Sequence, residues 1–160
     1  MKIGIISDTH DNLDNAEKAL NLFKEQGVDF FIHAGDFVAP FSLKPYFEKG
    51  FDFVGVFGNN DGEIMGLKEK SKGKIKEPPF IFNLGDKEIL VVHELSQIRN
   101  LNQHNLPAVV VSGHTHIAEI KKEKNTLFIN PGEAGGWLTG RATCAILDLD
   151  KMEAEIIEVK

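Results

Sequence analysis

The sequence has one cysteine, Cys144, and no apolar run long enough to span a membrane. A single thiol excludes a disulfide framework and a cysteine-type zinc site, and the apolar residues around Cys144 predict a small buried side chain. The apolar stretch before Asp8 is too short for the core of a signal peptide. These absences predict a soluble cytoplasmic protein that has no membrane partner.

Positive charge is also scarce, because 18 Lys and Arg residues face 24 Asp and Glu residues, for a formal net charge of −6. Generic nucleic-acid binders and membrane-surface binders need a basic face, so neither class is expected. A small phosphate substrate remains compatible, since metal ions can supply local positive charge. With 160 residues and 42% hydrophobic composition, the chain is predicted to form a single domain over residues 1–160.

The first third of the sequence predicts a β-α-β-α-β unit with parallel strands and right-handed crossovers. The strands are expected at residues 2–7, 30–33 and 51–57. The first helix shows apolar residues at helical spacing, with Asp11 or Asn12 as its N-cap and Gly27 as its stop. A short irregular helix is expected at residues 40–49.

The second part of the chain is predicted to be mostly β. A partly exposed helix and a polar linker over residues 62–76 precede it. The expected elements are a hairpin at 80–84 and 87–92, a last helix at 95–103, and strands at 106–111, 117–122, 126–130, 142–149 and the C-terminus. A helix-rich parallel half followed by a strand-rich half predicts an α/β fold, a four-layer αββα sandwich of two mixed β-sheets with flanking helices.

Asp, His or Asn side chains directly follow five of the predicted strands. They are Asp8-Thr9-His10, Gly35-Asp36, Gly58-Asn59-Asn60-Asp61, His93 and Gly113-His114-Thr115-His116. Open α/β sheets place their ligands at the carboxyl ends of strands, so these residues are expected to form one cluster. Carboxylate, imidazole and amide ligands suit a pair of divalent cations, and Asp36 is the natural carboxylate to bridge both.

These blocks, in this order, resemble the calcineurin-like metallophosphoesterase superfamily. The chain length and the Asn-Pro-Gly at residues 130–132 look like the small bacterial and archaeal phosphodiesterases of that family, and the resemblance runs from Lys2 to about Arg141. It implies a phosphodiesterase with two divalent transition-metal ions. It implies that one metal is held by Asp8, His10, Asp36 and His116 and the other by Asp36, Asn59, His93 and His114. Manganese is the expected metal, and nickel, iron and zinc suit the same ligands.

The sequence departs from many relatives at Asn60, Glu94 and Glu133, where they carry His, Gly and Ser. In those relatives, the His at the position of Asn60 contacts phosphate and assists the leaving group. Asn60 at that position, and His10 beside a metal ligand, are therefore the candidate catalytic residues here. An amide can hold a phosphate oxygen but cannot act as a general acid, which predicts a preference for good leaving groups. Arg141 is an alternative phosphate contact, and a surface role for it is equally compatible with the sequence.

Several residues also have simpler interpretations. Singly, Asp8 could be a loop or helix-capping residue and Asp36 a turn former, and Asp61 is expected to have a structural role or to orient a ligand. His33, inside an apolar strand, is predicted to be a satisfied core histidine, and His104 to serve a helix C-terminus. The expected partner is a small phosphodiester, with a homo-oligomer left open. The alternative functions are a phosphomonoesterase and a non-catalytic scaffold, as in the phosphoesterase-like subunit of the retromer coat.

Overall fold

The computed structural model describes residues 1–28, 30–101 and 105–160, which form eleven strands and a few short helices. The strands are β1 Lys2–Ile6, β2 Phe30–His33, β3 Asp52–Val56, β4 Ile75–Lys76, β5 Phe80–Leu84, β6 Lys87–Val91, β7 Val109–Val111, β8 Ala118–Glu123, β9 Thr126–Pro131, β10 Thr143–Asp148 and β11 Glu153–Glu158. The helices are α1 Leu13–Glu25, α2 Lys44–Glu48, α3 Ile64–Lys70 and two 3₁₀ turns, Pro40–Leu43 and Leu95–Ile98.

Two mixed sheets face each other, as the sequence predicts. The first has the strand order β11-β10-β1-β2-β3-β4, in which β1 to β4 are parallel, β10 is antiparallel to β1, and β11 is antiparallel to β10. The second has the order β5-β6-β7-β9-β8, with β6, β7 and β9 parallel. The parallel strands of both sheets therefore end in loops that can meet at one rim.

Two clusters of core residues lie on either side of the first sheet. Ile3 and Ile5 of β1 point between the sheets, toward Val109 and Val111 of β7. The other face of β1 meets α1, and a Cβ on Gly4 would lie 2.4 Å from the Phe23 ring. Glycine at position 4 is therefore what lets the helix approach this closely.

The first helix begins and ends where the sequence predicts. The Asn12 side chain accepts a hydrogen bond from Asn15 N at 3.2 Å, and Gly27 adopts a φ of 71° just beyond the C-cap. The predicted irregular helix at 40–49 is a 3₁₀ turn followed by α2. Together with α3 these elements cover the outer face of the first sheet over a cluster of buried aromatic side chains.

The outer face of the second sheet differs from the prediction. Among the residues that the structure describes, the last helix is only the 3₁₀ turn Leu95–Ile98; residues 102–104, including His104, lie outside them. Leu95, Ile98 and Leu101 recur every third residue, which matches a 3₁₀ helix better than an α-helix. Within the described part of the chain, Ile98 of this turn and the nearby Leu101 and Leu106 pack on Leu90, Val92 and Val110.

Two strand predictions also need correction. The strand expected at 106–111 is limited to Val109–Val111, since Pro107 has no N–H to donate to a ladder. The short strand β4 lies in the region interpreted as a polar linker, where two residues carry too little periodicity to be recognised. Cys144 is buried and unpaired with another cysteine, as predicted. Within the described ranges, no helix is both long and apolar enough to cross a membrane.

Candidate metal centre

The polar strand ends from both sheets meet at one rim. The first sheet contributes Asp8, His10, Asp36, Asn59 and Asn60, and the second contributes His93, His114 and His116. His114 N donates to Asp8 Oδ2 at 3.0 Å, and His93 Nε2 lies 3.4 Å from Asp36 Oδ2, so the loops touch across the two sheets. The structure therefore brings all of the predicted site residues together.

The loops that carry these residues have an unusual backbone. Five of them have positive φ: Asp8 (52°), His10 (42°), Asp36 (61°), His114 (67°) and His116 (61°). Asp and His tolerate this left-handed region better than most residues, and its clustering is typical of functional sites. Two glycines permit the close packing, because a Cβ on Gly58 would lie 2.1 Å from Asp36 Oδ1 and one on Gly113 would lie 1.9 Å from Ser7 Oγ.

Asp8, His10 and His116 form the first group of potential metal ligands. Asp8 Oδ1 lies 3.8 Å from His10 Nε2 and 3.4 Å from His116 Nε2, and the two imidazole rings stack with centroids 5.3 Å apart. Asp8 Oδ1 and His10 Nε2 are buried atoms without a hydrogen-bond partner. The Asp8 carboxylate raises the pKa of His10 against the effect of burial. Unpartnered buried ligand atoms facing one another fit a bound cation.

Asp36, Asn59, His93 and His114 form the second group. Asn59 Oδ1 lies 2.9 Å from both His93 Nε2 and His114 Nδ1. His93 Nδ1 lies 2.8 Å from the carbonyl oxygen of Ala34, which can only accept, so Nδ1 carries a proton. In the absence of metal, a proton on Nε2 bonds to the Asp36 carboxylate. A cation that replaces this proton would be held by an imidazole and a carboxylate, which are suitable metal ligands.

Asp36 lies between the two groups. Its Oδ2 is 3.5 Å from His10 Nε2 and 3.4 Å from His93 Nε2, and Asn60 donates to both of its oxygens, from Nδ2 at 2.7 Å and from the backbone N at 2.8 Å. Burial alone would raise the pKa of Asp36, but hydrogen bonds from His93 and Asn60 hold it well below its ordinary value. Asp36 is therefore an ionised carboxylate placed to face both groups.

Asp61 holds the backbone of this loop, as the sequence predicts. Its buried carboxylate accepts hydrogen bonds from the backbone N–H groups of Asp36 at 3.1 Å, Val38 at 2.7 Å and Gly58 at 2.7 Å. Burial raises the pKa of Asp61, and these N–H groups oppose that rise. Asp61 thus fixes the position of Asp36 without facing the ligand cluster itself.

His33 is a satisfied core histidine, which confirms the prediction. Its Nδ1 accepts a hydrogen bond from Gly35 N at 3.2 Å, and its Nε2 lies 3.1 Å from Thr9 Oγ1. Burial lowers the pKa of His33 well below its ordinary value, so the ring is neutral. His33 therefore connects the loop of Asp8 and His10, through Thr9, with the loop of Asp36, through Gly35.

The sequence did not predict that Glu133 and Trp137 would form hydrogen bonds with two of the candidate ligand residues, His116 and His10. Glu133 Oε2 lies 3.0 Å from His116 Nδ1, and the indole Nε1 of Trp137 donates to the His10 carbonyl at 3.2 Å. Burial would raise the pKa of Glu133, but hydrogen bonds from Thr139, Leu138 and His116 hold it at about 2. The only sequence signal was the departure from Ser at position 133. Arg141 pairs with Glu158 at 3.5 Å on the surface.

Two facing mixed sheets, with carboxylates, imidazoles and an amide gathered at their strand ends, define an α/β protein with a candidate divalent-metal site. The chain belongs to the calcineurin-like phosphoesterase superfamily, because the model of the calcineurin-like phosphoesterase superfamily domain matches residues 1–152. The family and the two-sheet fold expected from the sequence are thereby confirmed. Membership implies divalent metal ions, and two sets of side chains place their ligand atoms close enough to hold a metal ion: Asp8 with His10 and His116, and Asp8 with Asp36 and His93.

Individual relatives agree with this placement. A phosphodiesterase of Methanocaldococcus jannaschii is 40% identical over 159 residues, which cover 96% of each chain. A solved structure described as a novel archaeal phosphodiesterase superposes with a TM-score of 0.91 at 38% identity, over 99% of each chain. Yfce, a phosphoesterase from E. coli, superposes with a TM-score of 0.74 at 22% identity over 100% of each chain, which shows the shared fold alone.

Proposed function

We propose that this protein is a dinuclear metal-dependent phosphodiesterase that hydrolyses a small phosphodiester. The observation that carries the proposal is the position of Asp36, whose Oδ2 lies within 3.5 Å of His10 Nε2 and 3.4 Å of His93 Nε2. One metal would be held by Asp8, His10, Asp36 and His116, and the other by Asp36, Asn59, His93 and His114. The name of the M. jannaschii relative, a phosphodiesterase, supports the choice of substrate class.

Divalent cations bound at these ligands would lower the pKa of a water molecule and neutralise negative charge on the phosphate oxygens. The protein's own groups prepare the site for that chemistry. The Nδ1–H of His93 bonds to the Ala34 carbonyl and leaves Nε2 free to bind metal, and Asp61 holds the Asp36 backbone in place. Such supporting contacts fix the orientation of the ligands before the substrate arrives.

His10 and Asn60 are proposed to contact the substrate. The His10 side chain is 21% exposed beside the buried ligands, so it can reach a phosphate oxygen as well as a metal. One N–H of the Asn60 amide is used by Asp36, which leaves the other for a phosphate oxygen. The amide supplies a hydrogen bond but no proton, so catalysis of poor leaving groups is expected to be weak.

The proposal includes manganese as the native metal, with nickel, iron or zinc able to use the same ligands. It also includes one domain over residues 1–160 and a cytoplasmic location, with no membrane partner. The formal charge of −6 supports a small substrate over generic nucleic-acid binding. A homo-oligomer is compatible with all of these statements.

A phosphomonoesterase is the competing enzyme, since the same metals bind either kind of phosphate. The deciding experiment strips the metal with a chelator, verifies its loss by elemental analysis, and assays aryl phosphodiesters and aryl phosphomonoesters before and after Mn²⁺ is added. We expect no turnover without metal, recovery with Mn²⁺, and higher kcat/KM for the diesters. Full turnover in metal-free protein refutes the mechanism, and higher kcat/KM for monoesters refutes the substrate class. Metal binding without turnover of either substrate would support a scaffold.

A further inference from the structure

Glu133 is a buried carboxylate whose hydrogen-bonding capacity is filled. It accepts from the backbone N–H of Trp137 at 3.0 Å, from that of Leu138 at 3.0 Å and 3.2 Å, from that of Thr139, and from His116 Nδ1 at 3.0 Å. The residue is fully shielded from solvent. A carboxylate has about four acceptor positions, so these donors leave none vacant.

The contact with His116 fixes which ring nitrogen carries the proton. An ionised carboxylate can only accept, so the His116 Nδ1 atom must be the donor. In the neutral ring, the Nε2 atom then has the free lone pair, and it is Nε2 that lies 3.4 Å from Asp8 Oδ1 in the first ligand group. Glu133 itself faces the far side of the ring and belongs to neither group of potential ligands.

Backbone hydrogen bonds hold the loop over residues 132–140 against the loop that carries Asp8. Ala134 N donates to the Ser7 carbonyl at 2.9 Å, and Gly135 N donates to the Asp8 carbonyl at 3.0 Å. A Cβ on Gly135 would lie 2.9 Å from the Asp8 carbonyl oxygen, so only glycine allows this approach without a shift. The loop is therefore bonded to the segment that follows β1 and, through the Glu133 side chain, to His116.

Trp137 lies on this loop and is the only tryptophan of the chain. Its backbone N–H bonds to Glu133, while its indole N–H bonds to the carbonyl of His10. The indole ring itself is largely exposed. Trp137 therefore contacts His10 directly and His116 through Glu133, which makes its fluorescence a reporter for the first ligand group.

We propose that Glu133 is a positioning residue that holds His116 in its Nδ1–H tautomer and couples metal binding at the first group to the 132–140 loop. This inference rests on the proposed function only in that Asp8, His10 and His116 must hold a metal. Groups that hydrogen-bond to a metal-binding histidine typically contribute about 10–100-fold to metal affinity. Glu133 is expected to have an effect of that size.

The experiment compares Glu133→Gln with wild type in the full chain, with Glu153→Gln as the matched control because Glu153 is exposed on β11. Long-range ¹H–¹⁵N spectra of the imidazoles in metal-free protein report the His116 tautomer. Competition titrations with Zn²⁺ report affinity, and Trp137 emission is followed during the same titrations. We expect wild type and the control to show an Nδ1–H tautomer and a Zn²⁺-dependent emission shift. Glu133→Gln is expected to show mixed tautomers, about 10–100-fold weaker Zn²⁺ binding and a smaller emission shift.

Retention of the Nδ1–H tautomer together with Zn²⁺ affinity within twofold of wild type would overturn the inference, even if Glu133→Gln melts at a lower temperature. That result would mean a purely structural role and would leave the phosphodiesterase proposal standing. Failure of wild-type protein to bind Zn²⁺ or Mn²⁺ at all would instead refute the proposed function. Should Glu133→Gln fold poorly, Glu133→Asp keeps the charge and shortens the side chain, and the same loss of tautomer and affinity is expected from it.

Discussion

Gly58→Ala tests whether the close packing of Gly58 against Asp36 sets the geometry of the candidate metal site. The added methyl group would lie 2.1 Å from Asp36 Oδ1 and 2.5 Å from Asp36 N, whereas ordinary contact begins at 3.4 Å. Asp36 and its backbone would therefore have to move by about 1.3 Å, since overlap on this scale is strongly repulsive. Gly58 does not have a positive φ, so backbone strain does not contribute to the effect.

A displacement of about 1 Å at a reacting centre can cost about 10²-fold in rate, and we expect a fall of that size in kcat/KM for an aryl phosphodiester. Overpacking a tight site costs about 1–3 kcal/mol of folding free energy. For a chain of this length that corresponds to a fall in Tm of about 2–12 °C. Activity should be assayed well below the Tm of the variant, so that the loss of rate reflects the position of Asp36.

Gly62→Ala is the matched control, because its Cβ would meet nothing within 4 Å and it lies in the same loop. We expect its kcat/KM and Mn²⁺ affinity to stay within twofold of wild type. Full activity and unchanged Mn²⁺ affinity in Gly58→Ala would refute the argument that the 58–61 loop sets the position of Asp36. An equal loss in both variants would show that the loop tolerates no substitution for reasons unrelated to Asp36.

Three other results are expected. Asp36→Asn should lower kcat/KM more than Asp61→Asn does. The expected loss for Asp61→Asn is about 10–100-fold, because Asp61 acts only through the Asp36 backbone. The reverse order in steady-state assays would mean that the roles of the two residues are exchanged. Because Asn60 supplies no proton, rates at saturating Mn²⁺ should fall steeply from aryl to alkyl phosphodiesters, and a flat dependence on leaving-group pKa, with chemistry rate-limiting, would contradict this. The pKa of Glu133 is lowered from 4.5 to about 2, so its stabilising effect is present above pH 4.5 and is lost as the pH falls toward 2. The free energy of unfolding of metal-free wild type should therefore exceed that of Glu133→Gln by up to about 3 kcal/mol at pH 7, and a gap that did not shrink in acid would refute the ionic origin of the effect.

The cluster of candidate ligands could be predicted from the sequence, because its members directly follow recognisable strands. Alternation and apolar runs locate β1, β2, β3 and β6, and the carboxyl ends of parallel strands meet at a rim whatever the exact register. Asp36 and His93 could therefore be assigned to one site before their 3.4 Å separation was known. Local pattern and sheet geometry were sufficient for this part.

The contact of Glu133 with His116 could not be predicted in the same way. The two residues are separated by the β8–β9 hairpin, and they meet only because Ala118 pairs with Pro131 across it. A shift of one residue in that register would turn the side chains to opposite faces. The 3₁₀ conformation of Leu95–Ile98 could not be predicted either, because a weak apolar stripe does not distinguish a 3₁₀ turn from an α-helix.

The candidate ligands come from both sheets, so the core between the sheets also sets the geometry of the candidate metal site. Asp8, Asp36 and Asn59 are carried by the first sheet, whereas His93, His114 and His116 are carried by the second. Packed sheets are separated by about 10 Å, a distance set by the side chains between them. The inter-sheet residues, such as Ile5 and Val111, therefore fix how far His93, His114 and His116 lie from the carboxylates of the first sheet. Truncating one of these side chains is expected to alter the candidate metal site although the truncated residue does not contact it.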